Sequence, residues 1–285
     1  MVESRPLTKS SEKALVKEFQ EVTGASSTDA TKWLKKYKFN LPNAIDGYFN
    51  EGADASRSST KDAEKKIGEI YDKFKDADAK IINIDGTMKL CGELGIDPSS
   101  DPVLFCLAAD LGSKVTGEWE KEPFVQGWIS IDPTINSLAS MKAALPKLRK
   151  KLNADPVYFK KVYMHTFDLC KAPGARVLAL ETAVDLWNLY LPPALEARPS
   201  ALSHIAPGSS PSSPATDQAP GFSADDLELW LEFQQGKGKA VSKDTWSLLI
   251  DFIRTIDAEL KEYDEEAAWP STIDDFVEYA RAKKA

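Results

Sequence analysis

A short unit that recurs four times between amphipathic helices is the strongest constraint on the fold of this chain. Each copy has three or four apolar residues with strand character, then a polar or acidic residue, then a helix. The copies lie at residues 82–86, 115–120, 177–181 and 239–244. Apolar residues at helical spacing surround every copy. The pattern predicts an all-α domain from residue 64 onward, whose very short strands bond side by side in pairs.

This arrangement is the skeleton of EF-hand pairs, but its loops lack the chemistry that binds calcium. An EF-hand loop needs oxygen ligands at positions 1, 3 and 5, glycine at 6 and a bidentate glutamate at 12. A loop that starts at Asp76 has Asp78 at position 3, but Lys80 at position 5 and Thr87 at position 12. We therefore expect degenerate EF-hand-like pairs that hold no metal and no cofactor.

The N-terminal part has a different character. Residues 8–50 contain three short amphipathic segments and resemble a ubiquitin-associated domain, although a generic helical hairpin with a third helix fits the same pattern. Residues 51–63 are small and polar, which predicts a flexible linker. Residues 64–285 form the predicted larger domain. Within it, residues 206–221 are rich in proline, serine and glycine, which predicts a disordered loop.

Composition excludes several classes of function. The net charge of −8 disfavours nucleic acid as a partner. No apolar run approaches the ~20 residues of a membrane span, and residues 1–5 lack the apolar stretch of a signal peptide. The three cysteines have no CxxC spacing, which indicates reduced thiols. We expect an intracellular protein of the cytoplasm and nucleus.

No catalytic constellation is visible in the sequence. The only two histidines are His165 and His204, and neither belongs to a nucleophile, phosphate-binding or zinc-binding motif. A cysteine nucleophile would need a nearby base or cation to lower its pKa, and the sequence offers no candidate. We predict no catalytic residues.

The C-terminal segment is the most informative stretch. Residues 264–278 hold six acidic residues and no basic one, interleaved with Trp269 and Phe276. Acids around aromatic side chains favour a docking surface for a basic partner. Together with residues 84–86, 171–174, 187–189 and 243–246, this segment resembles the potentiating-neddylation domain of the defective-in-cullin-neddylation family. The resemblance covers residues 64–282.

The resemblance implies a cullin-binding patch. In that family the winged-helix subdomain of cullin docks on two aspartates and an alanine, which match Asp244, Ala268 and Asp274 here. Carboxylates can accept charge-assisted hydrogen bonds from lysine or arginine. Each position also has a structural explanation: Asp244 lies in a first helical turn, Asp274 follows Ser271 at capping-box spacing, and Ala268 is a good loop or helix former.

The resemblance also implies an apolar pocket for the N-terminus of the neddylation conjugating enzyme, whose first methionine is acetylated. Acetylation removes a charge that would be costly to bury. Thr87 and Thr116 fall near the same pocket. The alternative, that the matching residues all belong to the core, stays open. The matching positions are Ile84, Val103, Cys106, Trp119, Leu169 and Leu189.

The function that this resemblance implies is that of an accessory ligase without catalytic residues, which bridges cullin and the charged conjugating enzyme. A RING subunit would belong to the same complex, and the N-terminal domain would bind ubiquitin or a related modifier. We expect no nucleic-acid or membrane partner. Two alternatives remain: a ubiquitin-binding adaptor, and a degenerate EF-hand regulatory protein.

Overall fold

The computed structural model describes residues 9–206, 208–210 and 212–284. Residues 1–8, Pro207, Pro211 and Ala285 lie outside the described residues. They include the segment considered for a signal peptide, the first residue of the predicted N-terminal domain, two residues of the predicted loop and the last residue of the larger domain. Contacts divide the chain into two units, Met1–Lys65 and Lys66–Ala285.

The first unit is built from α1 (Lys9–Thr23), α2 (Ser27–Lys36) and the first part of α3 (Leu41–Phe74). Ser26 caps α2, because its hydroxyl accepts a hydrogen bond from the backbone N–H of Asp29. The core is small and rich in alanine, which allows the helices to approach closely. Its buried residues are Phe19, Ala25, Ala30, Leu34 and Ala44. The three-helix arrangement that we predicted is confirmed.

The predicted flexible linker differs from the structure. Helix α3 runs from Leu41 to Phe74 without a break, so residues 51–63 are helical. The segment contains one glycine and no proline, while alanine, glutamate and lysine are good helix formers. Small polar residues therefore predicted a linker, but the segment has no proline and the helix continues through its one glycine.

The second unit carries the remaining helices and two strands. In chain order these elements are α4 (Ile84–Leu94), α5 (Val103–Asp110), α6 (Lys121–Ile131), α7 (Leu138–Ala154), α8 (Pro156–Cys170), β1 (Val177–Leu178), α9 (Leu180–Glu196), α10 (Ala224–Lys237), β2 (Val241–Ser242), α11 (Lys243–Thr255) and α12 (Ser271–Lys284). No helix in the described part of the chain is long and apolar enough to cross a membrane.

The four recurring units pair as predicted. Ile82 and Trp119 form an antiparallel bridge between the loop before α4 and the loop before α6; we call these two loops the first loop pair. Strands β1 and β2 pair antiparallel, with Val177 opposite Ser242; their loops are the second loop pair. The all-α class with very short strands is therefore confirmed.

Stacked aromatic rings hold the second loop pair to the core. Trp246 on α11 lies flat on Tyr163 of α8, with ring centroids 4.0 Å apart, and its indole N–H donates to the Tyr163 carbonyl at 3.0 Å. Trp187 on α9 also stacks on Trp246, with ring centroids 5.6 Å apart. Burial of such rings supplies large apolar contact areas, so the start of α11 is firmly placed.

The predicted disordered loop is partly tied down. Residues 206–221 contain no helix in their described part, but the N–H of Ser200 and the carbonyl of Thr216 form an isolated bridge. Arg254 is fully buried and donates from Nη2 to the carbonyl of Ser213 at 2.9 Å. A buried guanidinium requires acceptors, and the sequence pattern of the loop gave no sign that it supplies one.

Candidate functional site

The first position of the predicted cullin-binding patch lies at the start of α11. Asp244 occupies the first turn and is exposed. Ser242 caps the helix by accepting from the N–H of Thr245 at 3.1 Å, and Lys243 pairs with Asp168 at 2.8 Å. Because Trp246 fixes the same turn in the core, the carboxylate of Asp244 faces solvent from a rigid support.

The segment between α11 and α12 presents the second position. Ala268 is exposed, whereas its neighbour Trp269 is half-buried. The Trp269 ring stacks on Tyr263 with centroids 6.0 Å apart and meets the edge of Phe252 at 6.1 Å. These contacts fix the turn, so the small side chain of Ala268 points away from the core and a partner backbone can approach it.

Asp274 lies in the first turn of α12 and is half-buried. The hydroxyl of Tyr263 donates a short hydrogen bond to Asp274 Oδ1. Burial, and then this bond, raise the pKa of Tyr263, so the phenol stays a donor. The neighbouring Asp275 pairs with Lys237 at 2.7 Å. Tyr263 thus orients the Asp274 carboxylate, which keeps a second oxygen for a partner.

These three positions lie on elements that contact one another. Phe252 on α11 touches both Tyr263 and Trp269, and Tyr263 bonds Asp274 on α12. Asp244 precedes Phe252 by about two turns, or roughly 12 Å along the helix axis. We use the name acidic face for the predicted surface of Asp244, Ala268, Trp269 and Asp274, in which Tyr263 links Trp269 to Asp274 and Asp244 lies at the start of α11.

A separate apolar pocket of about 230 Å³ lies beside the first loop pair. Three of the six residues predicted for the pocket line it, namely Ile84, Trp119 and Leu169, and so do Thr87 and Thr116. Sequence reasoning missed the other lining residues. These are Met88, Pro98, Leu104, Phe105, Ala108, Ser113 and Gly117. None of the residues described in this lining carries a charge.

Neutral hydrogen bonds hold the pocket wall in place. The indole N–H of Trp119 donates to the hydroxyl of Thr87 at 2.6 Å, and that hydroxyl donates to the carbonyl of Gly117 at 2.8 Å. Thr116 donates to the carbonyl of Leu169 at 3.1 Å, which links the loop to the end of α8. Buried polar groups of the wall are thus satisfied without ions.

Three predicted pocket residues do not line the pocket. Val103 and Cys106 are fully buried core residues, because they lie on the face of α5 opposite to Leu104 and Phe105. Leu189 is half-buried on α9 and is not part of the pocket lining. The missed residues of α5 follow helical spacing, but α5 is apolar on nearly every side, so periodicity could not select the correct face.

The loop that starts at Asp76 is closed by its own hydrogen bonds. Asp76 Oδ1 accepts from the N–H groups of Asp78 and Ala79 at 2.9 and 2.8 Å, and Oδ2 accepts from the Asn83 amide at 3.2 Å. The bonds from Ala79 and Asp78 lower the pKa of Asp76. The residue at the first EF-hand position therefore holds the turn through backbone donors.

Comparison with known proteins agrees with this two-part architecture. A family model described as cullin binding matches residues 140–279, and one described as UBA-like domain matches residues 13–55. A Cryptococcus neoformans protein is 54% identical over 274 residues, which cover 95% of this chain and 94% of the relative. A Yarrowia lipolytica protein is 30% identical over 91% of this chain and 92% of its own length. A Saccharomyces cerevisiae protein is 26% identical, with 94% of each chain covered.

The fold and the matched models define a protein with a ubiquitin-associated-like domain followed by a helical domain of the cullin-binding class. All three relatives carry the name defective in cullin neddylation protein 1. The chain belongs to the defective-in-cullin-neddylation family.

Proposed function

We propose that this protein promotes neddylation of cullins as an accessory ligase without catalytic residues, by holding cullin and the charged conjugating enzyme in one complex. One observation carries the proposal: the second unit has two accessible sets of residues that differ in chemistry, the acidic face and the uncharged apolar pocket. Tethering two reactants raises their effective concentration and restricts their orientation. A RING subunit in the same complex would activate the conjugating enzyme.

The cysteines support a role without covalent catalysis. Burial raises the pKa of the thiols of Cys91 and Cys170 to about 11, and that of Cys106 to about 12. All three thiols are therefore protonated near neutral pH, and a thiol is a poor nucleophile. In the proposed reaction, the conjugating enzyme and not this protein forms the thioester with the modifier.

The acidic face fits the winged-helix subdomain of a cullin if that subdomain presents lysine or arginine. We expect Ala268→Arg to weaken binding of a cullin C-terminal fragment by about tenfold or more, since it adds bulk and a repelling charge. Ala143→Arg is the matched control, because Ala143 is also exposed but lies on α7. Isothermal titration calorimetry measures both; equal affinities for the two variants would remove the acidic face from the proposal.

The pocket fits the acetylated N-terminus of the conjugating enzyme. Its lining offers apolar side chains, hydroxyls and backbone groups but no carboxylate to pair with a free α-ammonium, so acetylation avoids the cost of burying an unpaired charge. Fluorescence anisotropy with acetylated and unacetylated copies of the N-terminal peptide tests this. We expect at least about tenfold tighter binding of the acetylated peptide.

A pair of surface variants makes that experiment specific. Ile84→Asp places a carboxylate at the pocket, and Ile84 is 60% exposed, so the fold should tolerate the change. Val177→Asp is the control, because Val177 is 41% exposed on β1 and lies outside the pocket. Only Ile84→Asp should abolish binding of the acetylated peptide. Equal binding of the two peptides to wild type would refute the pocket assignment.

A second proposal concerns the first unit alone. Its UBA-like match and its exposed apolar residues, Val22 (55%) and Phe49 (52%), favour binding of ubiquitin or a related modifier. Titration of the full chain with ubiquitin and with the neddylation modifier, followed by nuclear magnetic resonance, tests this. We expect Val22→Asp to remove the shifts in the bound modifier, and unchanged shifts would exclude this surface.

A further inference from the structure

The α7–α8 region is strongly basic in an otherwise acidic protein. Residues 142–161 contain seven lysine or arginine side chains and a single acid, Asp155, whereas the whole chain has a net charge of −8. Arg149 and Lys160 are used in ion pairs, with Asp101 and Asp251 respectively. Lys161 also pairs with Asp110, whereas the exposed Lys142, Lys147, Lys150 and Lys151 belong neither to the acidic face nor to the lining of the apolar pocket.

A cleft of about 480 Å³ opens in this basic region, between the end of α6, α7 and the start of α8. Its floor is apolar, with Ile131, Leu148 and Val157 among the lining residues, and Val157 is 58% exposed. Lys147 and Lys151 line the same cleft, one helical turn apart on α7, and both are exposed. Two ammonium groups therefore stand beside an accessible apolar floor.

The carboxylates of the cleft are already used within the fold. Asp110 accepts from the hydroxyl of Tyr158 at 2.5 Å and pairs with Lys161 at 2.6 Å. Asp155 caps α8 by accepting from two backbone N–H groups at 3.0 Å. Asp132 accepts from the N–H and hydroxyl of Thr134 at 2.9 and 2.6 Å.

Lys147 and Lys151, by contrast, form no ion pair with any described residue. The ammonium of Lys151 lies 4.3 Å from the centre of the Tyr158 ring, a cation–π contact that positions the charge without neutralising it. Lys147 lies close enough to Asp132 to contribute, after the bonds from Thr134, to the lowered pKa of that carboxyl. Both ammonium groups stay available to a ligand.

We propose that this cleft binds an acidic linear segment of a partner protein, with carboxylates on Lys147 and Lys151 and an apolar side chain on the floor at Leu148 and Val157. Exposed lysines favour carboxylate partners through long-range attraction. A nucleic acid fits less well, because only two of the three lysines that line the cleft are unpaired and apolar side chains lie beside them, whereas nucleic-acid binding depends on many phosphate contacts. This third surface gives the protein a contact beyond cullin and the conjugating enzyme.

Fluorescence anisotropy with the full chain tests the proposal, using a fluorescein-labelled peptide of glutamates around one leucine. Matched peptides carry glutamine for each glutamate, or serine for the leucine. We expect salt-sensitive binding of the acidic peptide, at least about tenfold weaker binding of the glutamine peptide, and a smaller loss for the serine peptide.

Charge reversal locates the site. Lys147→Glu with Lys151→Glu should weaken binding of the acidic peptide by about tenfold or more. Lys61→Glu with Lys65→Glu is the control, since those exposed lysines have the same spacing on α3. The proposal is overturned if wild type ignores the acidic peptide, if both double variants bind alike, or if duplex DNA binds more tightly. It also fails if sedimentation shows that wild type self-associates and that Lys147→Glu with Lys151→Glu abolishes the association, because the cleft would then bind a second copy of this chain.

Discussion

The two loop pairs share one architecture but differ in what occupies the space beside them. In the second pair, Phe276 of α12 is fully buried and packs against Trp230 of α10 at 5.0 Å and Phe252 of α11 at 6.0 Å. In the first pair, the pocket stays open to solvent, and Ile84 and Met88 on α4 are 60% and 53% exposed.

In the function that we propose, this difference lets one scaffold present two kinds of binding surface. Where the chain supplies its own helix, the apolar space is filled, and the remaining surface would bind through charge and shape. Where no helix is supplied, the apolar space is left for a segment of another protein, as in helix or peptide recognition by grooves. In our proposal the open pocket is the site for a peptide, and the filled one supports the acidic face.

The largest expected effect is a loss of stability, which should be greater at the filled space than at the open pocket. Phe276→Ala should lower the free energy of unfolding by about 3–5 kcal/mol, because it leaves a cavity in a packed aromatic cluster. Phe105→Ala should cost clearly less, since Phe105 is half-buried at the open pocket. Urea unfolding of both variants checks the difference. Equal losses would show that the two spaces do not differ in packing.

A smaller effect is expected at the wall of the first loop pair. Thr87→Val keeps the shape of the side chain but leaves the buried indole N–H of Trp119 without its acceptor, at a cost of about 1–3 kcal/mol. Thr87→Ser keeps the hydroxyl and should retain most of that stability. Thermal unfolding and peptide binding are measured for both variants. A Thr87→Val protein as stable as wild type would mean that the hydrogen bonds of Thr87 do not hold the pocket wall in place.

The smallest effect concerns pH. Burial lowers the pKa of the His165 imidazole, whose ring lies against the backbone of Ser113 in the first loop pair. The imidazole therefore takes up a proton at a lower pH in the folded protein than in the unfolded chain, where it does so near pH 6.5. Stability from this group is complete above that pH and is lost as pH decreases below it.

Replacement of the imidazole isolates this contribution. The free energy of unfolding of wild type, measured by urea between pH 7 and 5, should fall more steeply than that of His165→Gln. Parallel curves for the two proteins would contradict the assignment.

The sequence alone was sufficient to predict local structure where the same pattern of residues repeats along the chain. Four short apolar units between helices predicted that short strands bond side by side in pairs, because strand pairing satisfies backbone groups that a loop would otherwise leave open. The structure pairs Ile82 with Trp119 and β1 with β2. Acids interleaved with aromatics predicted a docking surface around Ala268, and the structure holds the neighbouring Trp269 against Tyr263 and Phe252. Their roles in cullin binding stay predictions.

The sequence alone could not predict the structure where contacts between distant parts of the chain determine it. Helix α5 is apolar on nearly all sides, so the face with Leu104 and Phe105 could not be distinguished from the one with Val103 and Cys106. The segment 51–63 has the composition of a linker but no proline, and it is helical. Arg254, fully buried, recruits a loop carbonyl that lies 41 residues away in the chain, a contact that no local pattern reveals.

The central claim is that the acidic face and the pocket act together as a bridge, and a reconstituted cullin-neddylation assay tests it most directly. Conjugation rates are compared for wild type, Ala268→Arg, Ile84→Asp and the variant with both changes. A bridge fails when either end is released, so each single variant and the double variant should give the same basal rate. Single losses that multiply in the double variant would show two independent contributions and would contradict the bridge.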